Sequence, residues 1–120
     1  MKCLFKIAFL ISFCLVPAAF AESNDRISPE AGKAKVKQGA LLVDVREAEE
    51  FNAGHIAGAL NVPLEQIETR LAEFGADKSK EIVLYCRSGR RSGLAKSALE
   101  SHGYKNVFNA GGYEDLKLAQ

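Results

Sequence analysis

The sequence predicts an α/β domain with a mainly parallel sheet of four to five strands flanked by helices on both faces. Three observations carry this expectation. Residues 40–45 (ALLVDV) and 82–85 (IVLY) are nearly continuous apolar runs of strand length, the pattern of strands buried on both faces. Segments with helical spacing of apolar residues alternate with such runs, as βαβ units require. No internal repeat, linker or low-complexity tract divides the remainder of the 120 residues, which allows one compact domain.

Residues 1–21 stand apart. Lys2 and Lys6 precede an apolar run over 7–16, followed by Pro17 and the small-residue pattern Ala19-Phe20-Ala21, the layout of a secretory signal peptide cleaved after Ala21. The apolar run is too short for a permanent span, although an uncleaved N-terminal anchor is the alternative. Phe13 before Cys14 argues against lipidation, which needs a small residue there. The expected organisation is a leader over 1–21 and a domain over 22–120, exported across the inner membrane to the periplasm, with no permanent anchor. Without the leader, 14 basic side chains face 15 acidic ones. So balanced a charge gives no global field for nucleic acid or an anionic membrane. Cys86 alone then survives among the three cysteines, so no internal disulfide can form.

Each element follows from local signals. Ser28-Pro29-Glu30 is an N-cap, a first-turn proline and an early acid, opening a helix to about Gln38 that Gly39 stops. After the strand over 40–45, residues 47–53 predict a helical turn and 59–62 a brief strand ended by Pro63. Leu64, Ile67, Leu71 and Phe74 recur at helical spacing and predict a helix over 64–74, capped by Gly75. The strand over 82–85 leads through a polar loop, 86–91, into a helix over 92–102 with Leu94, Ala98 and Leu99 on one side. A strand over 106–110, Gly111-Gly112 and a small C-terminal helix complete the chain.

The chemistry concentrates at Cys86. In open parallel sheets, ligands bind beyond the carboxyl ends of strands, where Cys86-Arg87-Ser88-Gly89-Arg90-Arg91 lies between a strand and a helix. Gly89 can adopt positive φ and turn successive N–H groups inward as an anion-binding nest. The helix N-terminus adds partial positive charge. Such an environment favours Cys86 as a thiolate nucleophile and equally holds an anionic substrate over Arg87, Ser88, Gly89, Arg90 and Arg91. A cysteine that merely fills a strand end is the simpler alternative, as is a solvated basic loop. Three arginines within five residues, around a glycine and beside the last thiol, favour the anion site.

These residues resemble a known family. Leu42-Val43-Asp44-Val45-Arg46, then Gly54-His55-Ile56-Ala57-Gly58-Ala59 with Asn61-Val62-Pro63, then Cys86, Gly89 and Arg91 in the loop, and residues 104–112 (YKNVFNAGG), are similar to the signatures of single-domain rhodaneses, thiosulfate sulfurtransferases, of the small exported type. The resemblance implies a rhodanese-like fold. It also implies an activity in which Cys86 takes sulfur from thiosulfate or another sulfane donor, holds it as a persulfide and passes it to cyanide or a thiol, with no metal or organic cofactor. Related phosphatases and arsenate reductases place Arg six positions after the cysteine, where this chain has Ser92. Mercaptopyruvate-specific relatives carry a less basic loop, so Arg87 and Arg90 favour a dianion such as thiosulfate. The competing readings are a persulfide carrier without multiple turnover and, behind it, a cysteine-dependent phosphatase or arsenate reductase.

Other polar residues have structural readings. Asp44 and Arg46 flank Val45 and are expected to tie strand end to loop, with Glu49 or Glu50 as partner to Arg46. His55 is expected as a hydrogen-bonding corner, and His102 as a cation at a helix C-terminus. One cysteine and two scattered histidines form no spaced metal site. Lys33, Lys35 and Lys37 are expected to form a solvated helix face, and Tyr113 and Leu116 to pack the last helix.

Overall fold

The computed structural model describes residues 25–120; the leader expected over 1–21, and residues 22–24 of the expected domain, lie outside the described residues. The element order is α1 (Pro29–Lys37), β1 (Leu41–Asp44), α2 (Ala48–Ala53), β2 (Leu60–Asn61), two 3-10 segments (Leu64–Gln66 and Glu68–Phe74), β3 (Ile82–Cys86), α3 (Arg90–Ser101), β4 (Val107–Gly112) and α4 (Tyr113–Leu118). The four strands form one sheet in the order β2-β1-β3-β4, every pairing parallel. Arg26 adds one parallel bridge to Asn109 beyond the named strands. Among the described residues, no helix is long and apolar enough to cross a membrane.

Burial of both sheet faces follows from strand period two. Ile82, Leu84 and Cys86 face one side, where Val43, Val45, Ile67, Phe74, Ala95 and Leu99 complete a core beneath α3 and the 3-10 segments. Val83 and Tyr85 face the other, with Leu42, Ala110 and Leu116 beneath α1 and α4. The apolar runs lack alternation because neither face meets water.

Local chemistry sets most boundaries. Ala31 N–H donates to Ser28 Oγ at 3.0 Å, so α1 starts at Pro29 as its cap predicts. Glu47 and Glu50 form a reciprocal capping box on α2. The segment expected as one helix over 64–74 is instead two 3-10 stretches, with Arg70 at φ −122°, ψ 30°. Ile67 and Phe74 are nonetheless buried, so apolar spacing reported which residues face the core and not the hydrogen-bond pattern. Of the lysines of α1, Lys37 is exposed as expected, but the other two are less solvated: Lys33 Nζ donates to Ala119 O at 2.9 Å, and Lys35 pairs with Glu81 at 3.2 Å.

Packing of α1 on the sheet depends on Gly32, where an added Cβ would stand 2.9 Å from the Ala110 Cβ. A Gly32→Val substitution is expected to lift α1 from β4 and destabilise the domain by about 1–3 kcal/mol. Urea unfolding followed by circular dichroism measures this; an unchanged midpoint would show that helix and strand do not pack so closely.

Candidate active site

Cys86 ends β3 and is only 1% exposed. The chain then turns through Arg87 and Ser88 to Gly89, whose φ of 98° and ψ of −9° place it in the left-handed region. That turn directs amides at the sulfur: Gly89 N–H donates to Cys86 Sγ at 3.0 Å and Ser92 N–H at 3.4 Å, with Ser92 Oγ 3.6 Å away. The thiol is thus buried but not isolated. Burial pushes its pKa up, while the Ser92 hydroxyl and the amides of Ser92, Ser88 and Gly89 push it down and prevail, leaving it below the usual 9.0.

The helix after the loop starts at Arg90, two residues earlier than expected, with Gly89 as its N-cap. Arg90 and Arg91 therefore occupy the first turn, the electrostatically unfavourable end for cations. Glu50 of α2 offsets this by accepting from Arg91 Nη1 at 2.9 Å and Nη2 at 3.1 Å. The same bonds hold the Glu50 carboxyl down at about 2 against the opposing effect of burial. Arg91 also feels the charge of Cys86. Arg87, Ser88 and Arg90 are exposed. Arg87 lines a cleft of about 350 Å³ with Arg46, Glu50, Gly54, Tyr113 and Glu114.

Three residues that sequence reasoning left out of the site hold the loop in place. Asn109 of β4 is fully buried; its Nδ2 donates to Gly89 O at 2.9 Å, and its Oδ1 accepts from Ser92 Oγ at 2.7 Å and Gly111 N–H at 2.9 Å. Its position follows from a register shift, since β3 and β4 pair Leu84 with Asn109 but Cys86 with Gly112. Gly112 lets the loop come close, because a Cβ there would stand 2.6 Å from Arg87 O. Arg26 closes the outside, donating from Nη1 to Ser88 O at 3.0 Å. The glycine pair in the sequence was the one available hint of this contact.

The other polar residues stay out of the sulfur's reach. Arg46 pairs with Asp44, not with Glu49 or Glu50: Nε lies 3.0 Å from each carboxylate oxygen and Nη2 is 2.6 Å from Oδ2. The two flank Val45, so strand period two puts both on one side, while Glu50 is taken by Arg91. Arg46 Nη2 also donates to Gly54 O at 2.7 Å, tying β1 to the end of α2. His55 Nδ1 lies 2.9 Å from Phe51 O and its ring stacks on Phe51 at 3.7 Å, a corner as expected. His102 caps α3 with Nε2 3.2 Å from Glu68. Tyr113, the first residue of α4, packs against Tyr85 on the sheet face.

With this geometry in view, similarity to known proteins is specific. Residues 28–119 match the model of the Rhodanese-like domain. The chain is 41% identical over 76 residues to thiosulfate sulfurtransferase PspE of Escherichia coli K12, covering 63% of this chain and 73% of that protein. It is 36% identical over 78 residues to thiosulfate:glutathione sulfurtransferase of Saccharomyces cerevisiae, covering 56% of each. Among solved structures it is similar to a rhodanese with anions from E. coli, at a TM-score of 0.61 and 40% identity, covering 64% of this chain and 91% of that one. A parallel α/β sheet with the cysteine loop at its carboxyl edge, matched by a family model across the domain, places this chain in the Rhodanese-like domain family, among relatives that include sulfurtransferases.

Proposed function

We propose that the protein is a thiosulfate sulfurtransferase that works through a persulfide on Cys86. The observation that carries this reading is the convergence of the Gly89 and Ser92 amides on a buried sulfur whose pKa is lowered. Fixed N–H donors favour anionic over neutral sulfur and need no reorganisation during reaction. The Cys86 thiolate attacks the outer sulfur of thiosulfate; the S–S bond of the donor breaks, its electron pair leaves with sulfite, and a new S–S bond leaves Cys86 as a persulfide anion. An acceptor thiolate or cyanide then removes that sulfur and restores the thiolate. Arg87 and Arg90, both exposed beside the loop, offer charge to a dianionic donor. The names of the relatives, thiosulfate and glutathione sulfurtransferases, support this donor and a thiol acceptor.

Export belongs to the same reading. Removal of residues 1–21 leaves Cys86 as the single thiol, so in an oxidising compartment no intramolecular disulfide competes for it. N-terminal sequencing of the protein from an expressing bacterium is expected to begin at Glu22, in the periplasmic fraction; a chain beginning at Met1 in the cytoplasm overturns export.

Replacing Cys86 by Ser is expected to abolish sulfite release from thiosulfate. Thiosulfate without acceptor is expected to add one sulfur atom to the mass of the wild-type protein and none to the variant. Persistent turnover in Cys86→Ser rejects the mechanism, and sulfur loading with no second turnover in the wild type favours a carrier. Because the loop lowers the pKa of the folded thiol from its usual 9.0, kcat/KM for thiosulfate is expected to rise with pH through a midpoint below that value and then level off. A midpoint at or above 9.0 would show that the loop does not stabilise the thiolate.

A further inference from the structure

Ser92 is fully buried, with its Oγ 2.7 Å from Asn109 Oδ1 and 3.6 Å from Cys86 Sγ. A hydroxyl carries one proton and donates it to one acceptor at a time. The orientation of Asn109 is set by its bond from Nδ2 to Gly89 O, so Oδ1 is the atom facing Ser92 and the Gly111 N–H. While the sulfur is a thiol, the short bond to Oδ1 holds the hydroxyl proton, and the free lone pairs of Oγ accept the S–H. When the sulfur is an anion it can only accept, and a hydrogen bond to a charged acceptor is the stronger one. Oδ1 still receives Gly111 N–H, so turning the hydroxyl away leaves no buried acceptor unpaired.

We propose that the Ser92 hydroxyl is a two-position donor, held on Asn109 when Cys86 is a thiol and turned onto Sγ when the sulfur is anionic, with Asn109 as the positioning residue that sets the balance. No covalent bond of Ser92 changes: the thiol proton leaves to solvent and the hydroxyl rotates about its C–O bond. The inference rests on Cys86 acting as an anion in the proposed reaction. The charged groups packed about the loop are Arg91 of α3, whose charge couples to Cys86, with Glu50 of α2 behind it, Arg87 and Arg90 on either side of Gly89, and Arg26 bonded to Ser88 O; Asp44 and Arg46 at the end of β1 are paired with each other, and β4 contributes the uncharged Asn109. All of them persist when Ser92 is changed.

The test is the rate of Cys86 alkylation by iodoacetamide across pH, on the protein as expressed. Ser92→Ala is expected to raise the midpoint by about one unit, so that below it a tenfold smaller fraction of the protein is thiolate. In alkali, where both proteins are thiolates, the variant is expected to react no more slowly than the wild type, because the more basic thiolate is the better nucleophile. Ser92→Thr, which keeps the hydroxyl, is expected to retain the wild-type midpoint. Asn109→Ala also removes the brace on Gly89 and shifts the midpoint by itself, so it serves as a background: there Ser92→Ala is expected to raise the midpoint by more than it does in the wild type, because the hydroxyl no longer has a competing acceptor. Loosening of the loop alone raises the midpoint in both alanine variants but gives Ser92→Ala no larger effect in that background. The proposal is overturned by an unchanged midpoint in Ser92→Ala, or by an effect of Ser92→Ala that is no larger in the Asn109→Ala background; Ser92→Gly takes its place if Ser92→Ala does not fold. Sulfite release by the wild type is scored separately, so its absence would reject sulfur transfer while the alkylation midpoints still judged Ser92.

Discussion

A buried sulfur can rest as an anion only if donors are already fixed around it, and here that condition depends on Asn109. A buried carboxamide without partners costs free energy. This one uses both ends, binding Gly89 O through Nδ2 and the Ser92 and Gly111 donors through Oδ1. By satisfying itself it joins β4 to the loop and to the first turn of α3. The extra residue in β4 opposite Tyr85 is what brings Asn109 and the glycine pair to these contacts. Sheet register thus determines where the amides of Gly89 and Ser92 point.

Charge around the loop is shared unevenly. Arg46 is consumed by Asp44 and by the carbonyl at the end of α2, and its guanidinium lies 4.5 Å over the Tyr113 ring. A pair so buried is retained at a desolvation cost, and its geometry ties β1, α2 and α4 together at the carboxyl edge of the sheet. Arg91 is bound in bidentate fashion by Glu50. Arg87 and Arg90 remain turned to solvent at the mouth of the site. The inner layer of guanidinium groups therefore builds the site, and the outer one is free to meet a ligand.

The layered parallel sheet was legible in the sequence because burial on both faces leaves uninterrupted apolar runs at 40–45 and 82–85, and because Ser28, Gly39 and Gly75 punctuate the chain with local chemistry. The loop was legible for the same reason: a positive φ at Gly89 and a neighbouring cysteine are properties of adjacent residues. The segment over 64–74 was misread because 3-10 and α-helical stretches bury similar apolar positions, and spacing does not distinguish i+3 from i+4 bonding over so short a run. Asn109, Glu50 and Arg26 were missed as site residues because their roles arise from contacts 20, 41 and 62 residues apart in the chain, which no local pattern records. Arg46 was given the wrong partner because two acids on α2 were equally near in sequence, and only the side of the strand decides between them and Asp44.

The pairing of Arg91 also bears on which anions suit the loop. A ring that holds a tetrahedral oxyanion needs its arginine turned inward to bridge two ligand oxygens. Here Arg91 comes one residue too early for that arrangement, and both terminal nitrogens are already committed to Glu50, whose carboxyl is held at about 2 and so stays ionised through neutral and mildly acidic pH. Turning Arg91 inward would strand that carboxylate. The sixth position instead carries Ser92, a short side chain that adds a hydroxyl to the sulfur's surroundings without filling the ring. In the proposed reaction the Gly89 and Ser92 amides thus serve the sulfur bonded at Cys86, and the exposed Arg87 and Arg90 are left for the sulfonate end of the donor.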